Sequence, residues 1–160
     1  MKSVFKEIQK FDSLWFFVIL AMVSVVNYFI YVQGREAELT SIVVSYGAVV
    51  IAGLIFVFFR LQTEIDSFNV KFRFFPFHIH WQEIPWSDIT HAEVRTYRPI
   101  MEYGGWGLRF GKNGKAYTTK GKTGLQLTLK NGKKILIGTQ KQEELKYFLS
   151  KNKAGFHHNA

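Results

Sequence analysis

The sequence predicts an α+β protein in which a helical hairpin precedes a β-rich domain that is closed by one C-terminal helix. Two uninterrupted apolar runs, 14–32 and 41–59, predict the hairpin. Nine of the thirteen glycines lie between Gly104 and Gly138, where they separate short runs of Val, Ile, Leu, Phe and Tyr, a pattern typical of strands. The chain therefore divides into a hairpin at 1–60, a domain at 61–152 and a tail at 153–160.

The two apolar runs predict transmembrane helices. Each is nineteen residues long and uncharged, and at a rise of ~1.5 Å per residue it matches the ~30 Å hydrocarbon core of a bilayer. Three lysines precede the first run and Arg60 follows the second, whereas the connection between them holds only Arg35 beside two glutamates. We expect a multi-pass protein of the inner (cell) membrane, integral to the lipid bilayer, with both termini cytoplasmic.

The remainder of the chain predicts eight strands and one helix. In the clearest hairpin, a three-residue loop with Gly132 in the left-handed conformation opposes Leu127 with Ile135 and keeps one face apolar. A helix follows, with Thr139 at its N-cap, Gln142 completing a capping box, and a buried stripe that includes Leu145. The predicted strands are 62–66, 70–77, 80–84, 90–98, 107–110, 115–119, 124–129 and 133–137.

Several antiparallel strands followed by one amphipathic helix is the order of a pleckstrin-homology-like barrel. The run Ile84-Pro85-Trp86-Ser87-Asp88-Ile89, then Glu93-Val94, and Ile137-Gly138-Thr139-Gln140 before a helix resemble the bacterial pleckstrin-homology-like domains of small two-span membrane proteins. The segment Tyr103-Gly104-Gly105-Trp106-Gly107 is similar to a feature of one uncharacterised branch of that family. The resemblance covers roughly 60–151 and the hairpin, and it implies a fold and a membrane setting but no catalytic residues.

Charge is the strongest functional signal. The formal net charge is +9, and all of it arises after residue 59, where 17 Lys and Arg face 8 Asp and Glu. The segment 103–142 holds nine basic residues and no acidic one. Basic clusters of this kind attract anionic surfaces. We expect an anionic-surface site, and the lysines that would form it are Lys112, Lys115, Lys120, Lys122, Lys133 and Lys134.

Motifs for other chemistry are weak or absent. The chain has no cysteine, so thiolate catalysis and cysteine-bound zinc are excluded. His78 and His80 have a usable metal-ligand spacing, with His91 and Glu83 as possible further ligands. A relaxed phosphate-loop pattern at 116–123 runs into an alternating strand rather than the helix that such a loop requires. No catalytic constellation is present, and we expect no enzyme and no cofactor.

These observations predict a membrane-anchored interaction or lipid-surface-sensing module. Its expected partners are anionic lipid headgroups or an unidentified protein, and the segment 103–107 is a possible ligand or partner loop. The alternative is a tethered nucleic-acid-binding or metal-dependent domain. Nucleic acid is the less expected partner because no stacking-aromatic motif accompanies the charge.

Overall fold

The computed structural model describes residues 4–11, 14–32, 39–111 and 113–156, with the side chains of these ranges except 14–16, 55–57 and 152–156. The chain forms two compact units. One comprises Phe11–Phe59, and the other comprises Met1–Lys10 together with Arg60–Ala160. The first, the helical unit, is therefore inserted in sequence within the second, the β unit.

The helical unit consists of α1 (Leu14–Val32) and α2 (Leu39–Phe58). Polar side chains join the two helices, since the Tyr46 hydroxyl donates to Ser24 Oγ at 3.1 Å and Asn27 Nδ2 donates to Ser45 Oγ at 3.3 Å. Most other described side chains of this unit are apolar and exposed. The sequence placed both helices correctly to within two residues at each end.

The prediction that these helices cross a membrane was wrong. Among the described residues, no helix is both long and apolar enough for a membrane crossing. The transmembrane hairpin, the multi-pass classification and the inner-membrane localisation are all corrected on this finding.

The β unit contains two sheets, where the sequence predicted one barrel. The first sheet is antiparallel and has the order β1-β2-β3-β4. The second has the order β5-β8-β9-β7-β6, with a parallel pair, β7 and β9, among antiparallel neighbours. The strands are β1 (Phe5–Lys10), β2 (Arg60–Ile65), β3 (Asn69–Phe75), β4 (Gln82–Pro85), β5 (Ile89–Thr96), β6 (Gly107–Gly111), β7 (Gly114–Thr118), β8 (Thr123–Leu129) and β9 (Lys134–Gly138).

Strands β2 to β9 lie where the sequence predicted strands, whereas β1 was not predicted. The β8–β9 hairpin is confirmed in detail: Leu127 opposes Ile135, Leu125 opposes Ile137, and Gly132 has φ +77°. A 3₁₀ turn, Trp86–Asp88, joins the sheets, and the short helix α3 (Pro99–Tyr103) precedes β6. The predicted terminal helix is α4 (Gln142–Phe156).

The core lies between the two sheets and beneath α4. Across the sheets, the ring centroids of Phe72 and Tyr117 are 4.8 Å apart. Leu127 is fully buried on the second sheet. Phe148 of α4 packs on Phe5 of β1 with ring centroids 6.3 Å apart. Burial of these large side chains stabilises the unit by roughly 1.5–3 kcal/mol for each fully buried one.

Strand β1 carries buried polar groups that bind the residues just before α4. The Glu7 carboxylate accepts hydrogen bonds from the Thr139 hydroxyl at 2.6 Å and from the Gln140 backbone N–H at 2.7 Å. Thr139 Oγ1 in turn accepts from the Lys141 backbone N–H at 3.0 Å. Gln142 accepts from Thr123 at 3.2 Å. The predicted capping box is therefore not formed, because α4 begins at Gln142 and the Gln142 side chain bonds Thr123, whereas Thr139 and Glu7 bond the residues just before the helix.

Candidate anion-binding cleft

The predicted basic residues fall into two groups at opposite ends of β8. Lys120 and Lys122 lie in the turn before β8, whereas Lys133 and Lys134 lie in the turn after it and at the start of β9. Seven strand residues at ~3.3 Å each separate the groups by about 20 Å. Lys115, near the start of β7, belongs with the second group, and Lys112 lies outside the described residues. The structure therefore divides the predicted patch in two.

Strand register explains why Lys115 and Lys133 meet. In the parallel pair, Lys115 lies beside Ile135 and Tyr117 lies beside Ile137. Since alternate residues share a face, Lys115 occupies the same face as Tyr117, whose ring packs against the first sheet. Lys133 has the same parity as Ile135 and Ile137. Two lysines thus occupy core-facing positions where the sandwich opens.

A cleft of about 610 Å³ lies at this open end. One wall comes from the first sheet, with Phe72, Gln82 and Ile84. The opposite wall comes from the start of β7 and the β8–β9 turn, and its lining includes Lys115 and Lys133 at core-facing positions and Lys134, which follows Lys133 at the opposite parity. The three lysines together are called the cleft lysines below. A volume of this size is typical of ligand sites in proteins.

The cleft lysines have no carboxylate partner among the residues that the structure describes. All three are exposed. The one acidic residue on the cleft wall, Glu83, is bound by Lys71 at 3.1 Å between Nζ and Oε1. Lys115 Nζ lies 5.2 Å from the centre of the Phe110 ring. The cleft therefore carries an uncompensated positive charge.

The positive charge of the cleft affects the pKa of His78. Its ring lies 5.2 Å from that of Tyr117, and its Nδ1 is buried with no hydrogen-bond partner within the described part of the chain. Burial lowers the pKa of His78, and the positive charge of Lys115 lowers it further. The imidazole therefore stays neutral at pH 7 and adds no charge of its own.

The residues of the predicted metal site do not converge in the structure. In the described ranges, no three His, Asp or Glu side chains converge as metal ligands. His91 lies 3.6 Å from Glu93 instead. The hypothesis of a metal site built on His78 and His80, with Glu83, therefore gains no support from the geometry.

The segment 103–107 has a structural explanation. Tyr103 is buried against Tyr97, and Gly104, with φ +72°, ends α3 in a left-handed cap. Trp106 Nε1 donates to the Gly121 carbonyl at 2.8 Å, which fixes the turn that carries Lys120 and Lys122. Gly105 and Gly107 also have positive φ. The predicted partner loop thus joins α3 to β6 and supports a neighbouring turn.

The sequence patterns did not reveal the polar contacts that join β5, β8 and α3. Arg95 pairs with Glu102 at 2.8 Å and donates to Gln126, while Asn113 Nδ2 donates to Glu102 at 3.2 Å. Hydrogen bonding from Arg95, foremost, lowers the pKa of Glu102 to about 2. These residues lie 7 to 31 positions apart on two strands, a short helix and a turn, so no local pattern marks them.

Comparison with known proteins found no family model that matches the chain and no curated protein that matches it.

Proposed function

We propose that the β unit is a non-catalytic docking module that binds an anionic partner in the cleft. The observation that supports this most is the placement of Lys115 and Lys133 at core-facing positions, where neither forms a salt bridge with any carboxylate that the structure describes. A core position at the mouth of a sandwich is ordinarily filled by an apolar side chain, as Tyr117 and Ile137 fill the next positions.

A purely structural role explains the cleft lysines less well than ligand binding does. A single lysine at such a position can lay its apolar stem on the core and extend its ammonium into water. Three lysines on one wall raise the local positive potential, which destabilises the empty cleft and attracts anions. A ligand of opposite charge in the cleft would offset this repulsion.

Two kinds of partner share this chemistry. A phosphate group, as in an anionic lipid headgroup or a nucleic acid, and an acidic protein segment would each be held by ammonium groups. The turn group at Lys120 and Lys122 provides an internal comparison, because it has similar charge, is exposed and lies about 20 Å away.

The test is binding of soluble anions to the full-length chain. Inorganic pyrophosphate represents the phosphate-bearing partners, and a labelled Glu-rich peptide represents an acidic protein. The triple variant Lys115→Gln, Lys133→Gln, Lys134→Gln should weaken binding of whichever anion binds by on the order of tenfold, since exposed charge pairs contribute ~0.2–1 kcal/mol each. Fluorescence anisotropy measures the peptide and calorimetry measures pyrophosphate.

The matched control is Lys120→Gln with Lys122→Gln. It should leave affinity within about twofold if binding takes place in the cleft, since exposed charges beyond a Debye length of ~8 Å at physiological ionic strength are largely screened. Equal losses in both variants would reveal attraction by net charge alone and would overturn the proposal, as would the absence of binding to either anion.

A further inference from the structure

The cleft continues along a strand that has a free edge. Strand β4 is the last strand of the first sheet, and within the described ranges of the chain it pairs with β3 alone. A second hollow of about 380 Å³ adjoins the cleft and shares Glu83 and Ile84 with it. The first hollow begins at Gln82 and the second reaches Pro85, so the two together follow the whole of β4.

The wall facing β4 is basic beside the first hollow and of mixed charge beside the second, where Asp88 lies with Lys130. The cleft lysines lie beside the first hollow, and Lys130 lies beside the second. The floor is apolar, formed by Phe72, Tyr117 and Ile84. The space is thus an elongated groove with unpaired strand backbone on one side, cations on the other and aromatic rings beneath.

We infer that the anionic partner is an extended acidic peptide segment, which adds to the free edge of β4 as a fifth strand of the first sheet. The inference rests on the proposed function and names its ligand. A strand in this position pairs its backbone with β4, which gives affinity, and places alternate side chains toward the second sheet. Carboxylates at those alternate positions face the cleft lysines.

The shape of the groove favours a strand over a compact anion. Four residues of β4 extend for about 13 Å, and the two hollows follow that whole length, with the cleft lysines beside the first. Glu83 lines both hollows, but its carboxylate is paired with Lys71 at 3.1 Å, which reduces its repulsion of an acidic ligand.

The experiment uses the full-length chain and three labelled peptides with the alternating sequence Thr-Glu-Thr-Glu-Thr-Glu. One is unmodified, the second is N-methylated at the Thr residues, and the third is N-methylated at the Glu residues. Successive residues of a strand direct their N–H groups to opposite edges, so only one methylated peptide loses the donors that would face β4. That peptide should bind at least ~10-fold more weakly than the unmodified one, while the other methylated peptide holds its affinity.

A second measurement locates the strand. Hydrogen exchange at Glu83, in the segment 82–85, should slow at least severalfold when the unmodified peptide is bound, because its N–H faces the free edge and becomes paired. The N–H groups of Gln82 and Ile84 face β3, and Pro85 has none. Exchange at the β6 segment, 107–111, is the control and should not change.

The outcomes separate this inference from the proposed function. Equal affinity for all three peptides, equal loss for both methylated peptides, or unchanged exchange at Glu83 would overturn strand addition. Pyrophosphate binding that depends on the cleft lysines, without peptide binding, would also overturn it while leaving the proposed function in place. If neither anion binds, both proposals fail.

Discussion

The two units of this protein use apolar residues in opposite ways. In the helical unit, large apolar side chains such as Met22, Phe29 and Leu54 are each more than half exposed, and contacts between the helices include hydrogen bonds from Asn27 and Tyr46. In the β unit, alternate residues of nine strands meet in a core, and Leu127 is fully buried. A continuous apolar run thus makes little core of its own, whereas an alternating pattern makes a large one.

Chain order sharpens the contrast. Lys10 and Arg60 are direct partners at the end of the β1–β2 ladder, although 49 residues of sequence separate them. The helical unit is inserted at the tip of what would otherwise be a β-hairpin. All the strands of both sheets therefore belong to the β unit.

The largest test of this comparison removes the helical unit. Replacing 11–59 by Asn-Gly joins Lys10 to Arg60 through a two-residue turn of the type that suits hairpins. We expect the β unit to keep cooperative thermal unfolding and a mainly strand-like circular dichroism spectrum. A variant that begins at Arg60 and so also lacks β1 is the control. It should lose ~3 kcal/mol or more, because Phe5 and the bonds of Glu7 go with it. Loss of cooperative unfolding in the first variant would contradict the independence of the β unit.

A matched pair of leucine truncations compares the two units directly. Leu127→Ala removes a fully buried side chain and should cost ~2–5 kcal/mol of unfolding free energy. Leu54→Ala makes the same chemical change at a side chain that is 58% exposed, and should cost less than about 0.5 kcal/mol. Urea unfolding monitored by tryptophan fluorescence measures both. Similar costs at the two positions would show that the helical unit has a core of its own.

The smallest expected effect concerns acid. Helices α1 and α2 contain no Asp, Glu, Lys, Arg or His, whereas in the β unit the pKa of Glu102 is lowered from 4.5 to about 2, first of all by its bonds to Arg95. A lowered folded-state pKa contributes stability that is complete above pH ~4.5 and is lost as pH falls toward 2.

Because Glu102 is one-fifth exposed, screening reduces this contribution to about 1 kcal/mol. Wild type and Glu102→Gln should therefore differ in unfolding free energy at pH 6 and converge near pH 2. Glu143→Gln, at an 83% exposed position, serves as the control and should follow wild type throughout. A constant difference between wild type and Glu102→Gln at all pH values would assign the effect to packing rather than to charge.

Much of the β unit could be read from local pattern. Strands β2 to β9 coincide with the predicted ones to within about two residues, and the register of Leu127 against Ile135 followed from keeping one face apolar. Strand β1 could not be read, because its inward residues include the polar Glu7 and Gln9 while Ile8 faces outward. In β1, polar residues face inward and an apolar residue faces outward, which is the reverse of the usual pattern. Hydrogen bonds to partners about 130 residues away stabilise the inward polar side chains.

The cleft was predictable only in part. The sequence named Lys115, Lys133 and Lys134 as basic turn residues, but it also grouped them with Lys120 and Lys122, which the length of β8 places at the other end of the sheet. It gave no sign that β7 and β9 run parallel, and that pairing is what sets Lys115 beside Ile135. The local sequence shows which residues are charged, whereas strand order decides which of them lie close together.

By itself the sequence determined the excess of positive charge, the two apolar helices, eight of the nine strands and the terminal helix, because each depends on composition or on a period of a few residues. Only the tertiary structure decided that β1 pairs with β2 although the helices intervene in sequence, that Glu7 binds Thr139 and Gln140 just before α4, and that Lys115, Lys133 and Lys134 line one cleft beside β4. Those features depend on contacts between distant residues, whose geometry is set by which strands become neighbours and not by any local pattern.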